Sequence, residues 1–506
     1  TAGNFVFASG VSVSGNLAGG GNGTLDYTAV GAAVVNLSGA GSTGVGGTTA
    51  GMATVTTNGS LGLSGVASGA LTATSNGGAI TQAGALTVTG NATLDAGTGA
   101  IGLSNTNNDF MAAVSATGAG VSMTDANAMH IASLTDNANG DVSLVAQGAL
   151  LSTGAINAGT GNITLQANSG TLSPGSLSGA NIDMTGHNGI VLSNSVMAAG
   201  NLSLTSANAA IQQSAGSVMV TGPTTVDAGS GAITLNGAAN SFQGKLSLLG
   251  GSASVASSSA MQTGAVSVTG NLALTAPSVT NAVADSTTFG SGSTTGQING
   301  AYVQGGDLNL HAAAASSDQL AVSGSATLGG NLSLAFSAVP AAGQSFTVLN
   351  ASAISGTFAS VNATGLPAGL GTSVAYNLTS VVLTVQGAAQ TLSIAAPTSV
   401  LLGSGTTTVS ATASSGLAVT LTSTTPTVCT VTGAASPFQI DILGVGSCHL
   451  TAAQAGDATH AAVSQVVVIA VTLPVYVPVP TLNAWMLLLL AVLLGGGVVV
   501  RARRCG

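Results

Sequence analysis

Asp136 with Asp141, five residues apart, and Asp183 with His187, four apart, are close pairings of side chains able to move protons. Two carboxyls held about 5–10 Å apart are what glycoside hydrolysis requires, one as acid and the other as base or nucleophile. Proton abstraction beside a uronate carboxylate asks for a cation as well as a base. Lys245 is the sole Lys or Arg ahead of position 501. A lone Asp beside glycine is more commonly a turn former that accepts from the backbone. The expectation is therefore binding without turnover, with a polysaccharide lyase or glycosidase as the alternative. His449 adjoins Cys448, yet neighbours on a strand point to opposite faces, so the two do not make a metal site. No Gly-Gly-x-Gly-x-Asp series is present to collect Ca²⁺. No catalytic residue, cofactor or metal ligand is assigned.

These residues are carried by a chain almost free of charge. Thirteen Asp, no Glu and one Lys occupy residues 1–480, a net charge of −12. A nucleic-acid binder needs a basic stripe to neutralise phosphates, so that class of partner is excluded. Apolar residues alternate with Ser, Thr and Asn through most of the length, the period of half-buried strands. Hydroxyls and amides, rather than charges, keep such strands in water. Before the carboxy-terminal tail, no segment has the roughly 18 uninterrupted apolar residues of a membrane span.

Internal repetition sets the fold expected for residues 1–386. Residues 84–103, GALTVTGNATLDAGTGAIGL, align without a gap to 216–235, GSVMVTGPTTVDAGSGAITL, an offset of 132. INAGTGNITL from Ile156 is a third copy, and 264–274 repeats 84–94. Gly-(Asn/Asp)-apolar-x-Leu recurs at 140–144, 161–165, 200–204, 270–274, 306–310 and 330–334. Units of about 20–24 residues cannot bury a core singly, so they must stack. The spacing predicts a right-handed parallel β-helix with Val88 and Val220 on one face. Gly97, Gly99, Gly229 and Gly231 are expected at tight corners whose backbone angles a side chain would forbid. No helix or Lys follows these corners, so a phosphate loop does not fit. Gly329-Gly330-Asn331-Leu332-Ser333-Leu334, Gly343-Gln344-Ser345-Phe346-Thr347-Val348-Leu349 and Gly356-Thr357-Phe358 resemble the end of autotransporter and filamentous-haemagglutinin-like stalks. That resemblance implies surface display. No β-barrel translocator follows the stalk in this sequence, so self-transport in the autotransporter manner is not expected.

Residues 390–472 change character, to roughly seven strands. TTPTVCTVTG and DILGVGSCHLTAAQAGDATHAA resemble a bacterial immunoglobulin-like module of surface proteins, with Cys429 and Cys448 at its two cysteine positions. The resemblance implies a sandwich and, outside the cytoplasm, a disulfide worth about 3 kcal/mol. Residues 473–480, LPVYVPVP, read as a stiff or unstructured spacer.

The tail is an uncharged run over 484–500 followed by Arg501, Arg503 and Arg504, the pattern of a minimal transmembrane helix with a cytoplasmic end. Val479, Pro480, Thr481, Leu482 and Trp485 precede or open it. Residues 479–506 thereby resemble the IPTL form of the PEP-CTERM-type sorting signals, departing from it at Asn483 and Met486. The resemblance implies an exosortase-like processing protease as partner. It also implies a transient stay in the inner membrane of a Gram-negative-type bacterium, then delivery to the surface or extracellular matrix. Cys505 would be lost with the tail. A leader ahead of Thr1 is inferred from this route. The functional expectation is a surface adhesin or matrix component that contacts glycans or neighbouring proteins.

Overall fold

The computed structural model describes strand segments 5–6, 24–27 and 33–37, then residues 53–476 except 68, 283–284, 291 and 293, and residues 484–495. The chain divides between Gln386 and Gly387 into two units. The first is a parallel β-solenoid of about 13 turns. One turn is three short strands, as in Ile163–Ala167, Leu172–Ser173 and Leu177–Gly179. Each side of the coil pairs in parallel only with the same side of the turns before and after.

Alternation decides which residues enter the core. On the first side Met123, Leu144, Leu165, Met184, Leu204, Val226, Leu248 and Val266 are successive register partners. All eight are buried. Their spacings, 21, 21, 19, 20, 22, 22 and 18 residues, show that turn length varies at the corners while the strands keep register. On the second side Leu150, Leu172, Ile190, Ile211 and Ile233 form such a column, and on the third Leu134, Ile156, Leu177, Val196 and Val218. Burying one Leu or Ile contributes about 1.5–3 kcal/mol, and each turn buries several.

The 132-residue repeat does not return to its own side, contrary to the expectation for Val88 and Val220. Leu94 leads along its column through Ala116, Leu134, Ile156, Leu177 and Val196 to Val218, six turns on. Its sequence equivalent Val226 lies one side further, in the first-side column. Leu103 and Leu235 are displaced in the same way, as are Val88 on the second side and Val220 on the third. Both valines are nonetheless buried. The period is six turns and a third, and the duplicated strands fit because the three sides offer nearly the same slot.

The glycine corners have two causes. Gly97 and Gly229 have φ of +59° and +58°, where only glycine is at ease. Gly99 and Gly231 do not; a Cβ there would lie 2.1 Å from the Gly78 carbonyl oxygen and 2.2 Å from that of Ala209 in the turn below. Close approach of stacked backbones, rather than backbone angle, requires these two. At its carboxy-terminal end the parallel stacking gives way to antiparallel pairing of Ser345–Asn350 and Gly371–Tyr376 with Ser380–Gln386. Phe336 and Phe346 meet edge to face there, ring centroids 5.4 Å apart.

The second unit has eight strands in two four-stranded sheets. One orders Leu392–Ala395, Thr406–Ala413, Phe438–Ile442 and Cys429–Val431; the other orders Ser399–Leu401, Val463–Thr472, Gly446–Gln454 and Thr420–Ser423. Val409, Phe438, Ile440, Leu450 and Ile469 share one core between them. A Cys429–Cys448 disulfide links the two sheets, Cα to Cα 5.6 Å. Leu473, Val475 and Tyr476 of the spacer are exposed.

The span expected over 484–500 is described only as the helix Ala484–Gly495. Twelve residues rise about 18 Å, and no helix among the described residues is long and apolar enough to cross a membrane. Residues 496–500, the rest of that expected span, lie outside the described residues. Val479, Pro480, Thr481, Leu482, Arg501, Arg503, Arg504 and Cys505 lie outside the described residues.

Backbone contact at the corners yields a prediction. Gly99→Ala should destabilise the turns around it by about 2 kcal/mol or more, because the new methyl meets a carbonyl that cannot retreat. Gly102→Ala, with nothing within 4 Å of its Cβ, should stay within about 0.5 kcal/mol of the parent. Amide hydrogen exchange in Ile80–Val88 and Ile101–Leu103 reads the difference; equal protection in the two variants would refute it.

Candidate functional site

The proton-moving pairs singled out in the sequence are turn formers or are held apart. Asp136 closes the strand Met129–Asp136, and its Oδ1 accepts from the amides of Gly120 and Ala138, each at 3.1 Å. Asp141 Oδ1 accepts from the Asn162 amide at 2.8 Å and from its Nδ2 at 3.0 Å. Asp183 stands on the outer face between Thr164 and Ser203, while His187 lies beyond the strand end at Gly186. Four extended residues separate the two by about 13 Å along the chain. Lys245 is engaged with Asp285, Nζ to Oδ2 at 2.8 Å and to Oδ1 at 3.0 Å. Among the described residues, no group of three or more His, Cys or acidic side chains could hold a metal ion.

What the first side does assemble is a polar ladder. Ser122, Ser143, Thr164, Asp183, Ser203, Thr225 and Ser247 are consecutive register partners. They point away from the core between buried neighbours, one every ~4.8 Å. Gln166, Thr185, Thr205 and Asp227 form a second stripe two residues along each strand. At the corner entering this side, Asn162 Oδ1 accepts from Asn181 Nδ2 at 2.8 Å, and Asn181 Oδ1 accepts from the Asn201 amide at 2.9 Å. These bonds, begun by Asp141, explain much of the recurring Gly-(Asn/Asp)-apolar motif: the side chains of Asp141, Asn162, Asp307 and Asn331 each tie their turn to the next.

Two buried amide clamps were not singled out in the sequence. Asn108 Oδ1 accepts from the Leu86 amide at 2.9 Å, and its Nδ2 donates to Leu103 O at 2.9 Å and Gln82 Oε1 at 3.2 Å. Asn240 repeats this with the Val218 amide at 2.8 Å, Leu235 O at 2.9 Å and Gln213 Oε1 at 2.8 Å. Both Asn side chains are fully buried and satisfied. The alignment of Asn108-Asp109-Phe110 with Asn240-Ser241-Phe242 held the signal, since an amide kept before a buried Phe marks a structural pair. Nearby, burial pushes the Asp125 carboxyl up against the lowering effect of the Asn127 and Phe110 amides. In the second unit Asp457 Oδ1 accepts from the Thr459 amide at 2.8 Å, the Thr459 hydroxyl at 2.9 Å, the His460 amide at 2.7 Å and His460 Nδ1 at 3.0 Å. The adjacent Gly-Asp-x-Thr-His string is its sequence signal. Among the residues predicted from the sequence, Trp485 is 81% exposed on the apolar helix.

Fold and site together define an all-β protein whose body is a parallel β-solenoid with polar outer ladders. Residues 50–117 and 179–249 match the model of a family described as repeats of unknown function (DUF5649). The two matches end 132 residues apart, so they carry the two amide clamps in the same relative place. No curated protein matches the chain.

The Asp457 turn makes a pH prediction. Its carboxyl is held down to about 2, first by the Thr459 amide and, against the opposing effect of desolvation, also by the Thr459 hydroxyl and His460. A depressed carboxyl contributes stability that is full above the unfolded value of about 3.9 and is lost as pH falls through the folded one. The carboxyl carbon resonance of Asp457 should therefore titrate near pH 2; a midpoint near 4 would show that the turn does not hold it.

Proposed function

We propose that the protein is an exported cell-surface adhesin or extracellular-matrix component that binds and does not turn over its ligand. The single observation carrying this reading is the unbroken outward ladder from Ser122 to Ser247. It offers six hydroxyls and the Asp183 carboxylate at one spacing, and the cation beside its last member, Lys245, is drawn off by Asp285. Each contact is weak, and repetition along one partner raises the effective affinity. Glycans or neighbouring surface proteins are the partners of that chemistry. The coil is read as right-handed, the usual hand for parallel crossovers. The second unit is read as the immunoglobulin-like module of the stalk, its cross-sheet disulfide suited to an oxidising compartment.

The tail is read as a sorting signal that places the chain in the inner membrane before an exosortase-like protease releases it to the surface. The helix Ala484–Gly495 supports this: Met486, Leu487, Leu488, Leu489, Leu490 and Val492 are all exposed, so no polar face is offered to water. Such a surface calls for lipid or another apolar cover.

Binding without turnover is tested on the purified protein against a polysaccharide panel. Retention without product is expected, and Thr164→Leu with Thr225→Leu should weaken retention by about tenfold. Product formation abolished by Asp183→Asn or Asp136→Asn would replace this reading with the lyase or glycosidase one.

The tail separates anchoring from processing. Neutral residues at Arg501, Arg503 and Arg504 should weaken membrane retention, whereas Pro480→Ala with Thr481→Ala should leave insertion intact and block maturation. A mature surface protein that keeps its apolar tail, unaffected by the motif changes, would reduce the segment to a plain anchor.

A further inference from the structure

The two ends of the second unit differ in chemistry. Gly446 is opposite Val471 and Leu401 opposite Thr472, so the loop 443–445, the end of Ser399–Leu401 and the departing segment 473–476 lie side by side at one end of their sheet. In the other sheet Ile442, opposite Cys429, leads into the same loop. Leu401, Leu443, Val445, Leu473, Val475 and Tyr476 are all exposed there, the last two at 84% and 85%. Neighbouring strand ends are ~4.8 Å apart, so these side chains make one apolar patch. Residues 402–405, 443–445 and 473–476 hold no charged side chain. Asp441 lies inside the strand end, half-buried between Thr406 and Thr430. The opposite end, where Gln454 meets Val463, carries the Asp457–His460 turn.

We propose that this end of the second unit rests on the surface of the lipid bilayer that receives the tail helix, with Leu443 and Val445 dipping into the interface. The proposal rests on the reading of the tail as a membrane segment. Chain length selects the occupant. Tyr476 and Ala484 are eight residue steps apart, at most about 29 Å fully extended, so whatever covers the apolar helix Ala484–Gly495 is within reach of the patch. Tyr476 and the exposed Trp485 bracket that tether, and both residue types favour the headgroup level of a bilayer. The patch has no Lys or Arg to seek a lipid phosphate, so its affinity is for the acyl boundary of an uncharged membrane. A patch this small binds weakly by itself. The short tether holds it at high effective concentration beside the bilayer, which makes a weak contact sufficient. The Asp457 turn then stands at the far end of the strand Val463–Thr472, about 30 Å from the lipid.

The test is fluorescence quenching of the full chain in phosphatidylcholine vesicles that contain a nitroxide-bearing lipid. With Cys505→Ser as background, a nitrobenzoxadiazole dye is attached through Leu443→Cys or, at the opposite end, through Ala458→Cys. Trp485, the one Trp of the chain, reports the tail helix in the same samples. Lipid quenching at position 443 should exceed that at 458 by about threefold or more, with position 443 shielded from aqueous iodide. Adding Leu401→Asp and Val445→Asp should cut the lipid quenching at 443 by a similar factor and leave that of Trp485 unchanged. Peptide mapping of the intact Cys429–Cys448 link checks the fold of each variant. A dye at 443 that iodide reaches and the lipid does not overturns the proposal. So does a dye shielded from both, which would assign the cover to residues 477–483 or another protein surface. Trp485 judges the anchor separately: a quenched Trp485 with an unquenched dye at 443 removes this proposal alone, and an unquenched Trp485 removes the anchor, the dye deciding the patch in either case.

Discussion

Parallel stacking of one turn on the next, at ~4.8 Å, is the constraint from which the rest of the body follows. Every residue lies directly above and below its counterparts, so an inward position must be filled by something close in size to its neighbours. The column Met123, Leu144, Leu165, Met184, Leu204, Val226 meets this with substitutions that change volume little. Corners are the other place where the spacing is felt. Gly99 and Gly231 lack side chains because the carbonyl of the turn below occupies the space.

The same geometry accounts for the scarcity of charge. A charged residue repeated in a column would meet its copy at ~4.8 Å, about 1 kcal/mol of repulsion per pair even at the dielectric of water. Neutral groups separate the carboxylates that do occur: Asp95, Thr117 and Asp136 are successive partners, and Asp183 is flanked by Thr164 and Ser203. Where Asp141 and Asp307 face the next turn, Asn162 and Asn331 supply donors to them. Amides can both donate and accept, so they stack where carboxylates cannot. An outer surface of hydroxyls and amides is thus a condition of the fold before it is a binding surface.

The solenoid was legible because its core depends on alternation and on a repeat, both of which survive in sequence. Turn length of about 20–24 residues was close to what the columns show. The faces were not legible. An offset of 132 divides evenly into six units of 22, yet the turns average slightly less, and that deficit carries the copy from Leu94 onto the next side at Val226. Local strings do not record such accumulated differences, because each corner absorbs its own one or two residues. The amide clamps were half visible: Asn108 and Asn240 align, but Gln82 and Gln213 stand 26 and 27 residues earlier, out of step by one. Nearness in sequence did not tell what Asp136 and Asp141 do: the Oδ1 of each accepts from amides of the corner, while Asp136 Oδ2 is buried without a hydrogen-bond partner. Of the expected span over 484–500, residues 484–495 are described, and they form an apolar helix.

Displacement of the repeat by one side bears on what a duplicated segment conserves. If a ligand read the outer surface of that segment as a unit, copies facing different directions could not be engaged by one straight partner. The buried pattern is what both copies retain: Phe110 and Phe242 behind Asn108 and Asn240, Leu94 and Val226 ahead of the glycine corner. Some outer residues diverge, Thr87 and Asp109 in one copy against Met219 and Ser241 in the other, and others are kept, Thr93 and Asp95 as Thr225 and Asp227. What the two copies share on either side of the coil is the buried alternation and the amide clamp. Binding character then belongs to each side of the assembled coil, where residues from many turns meet, and not to any single repeat.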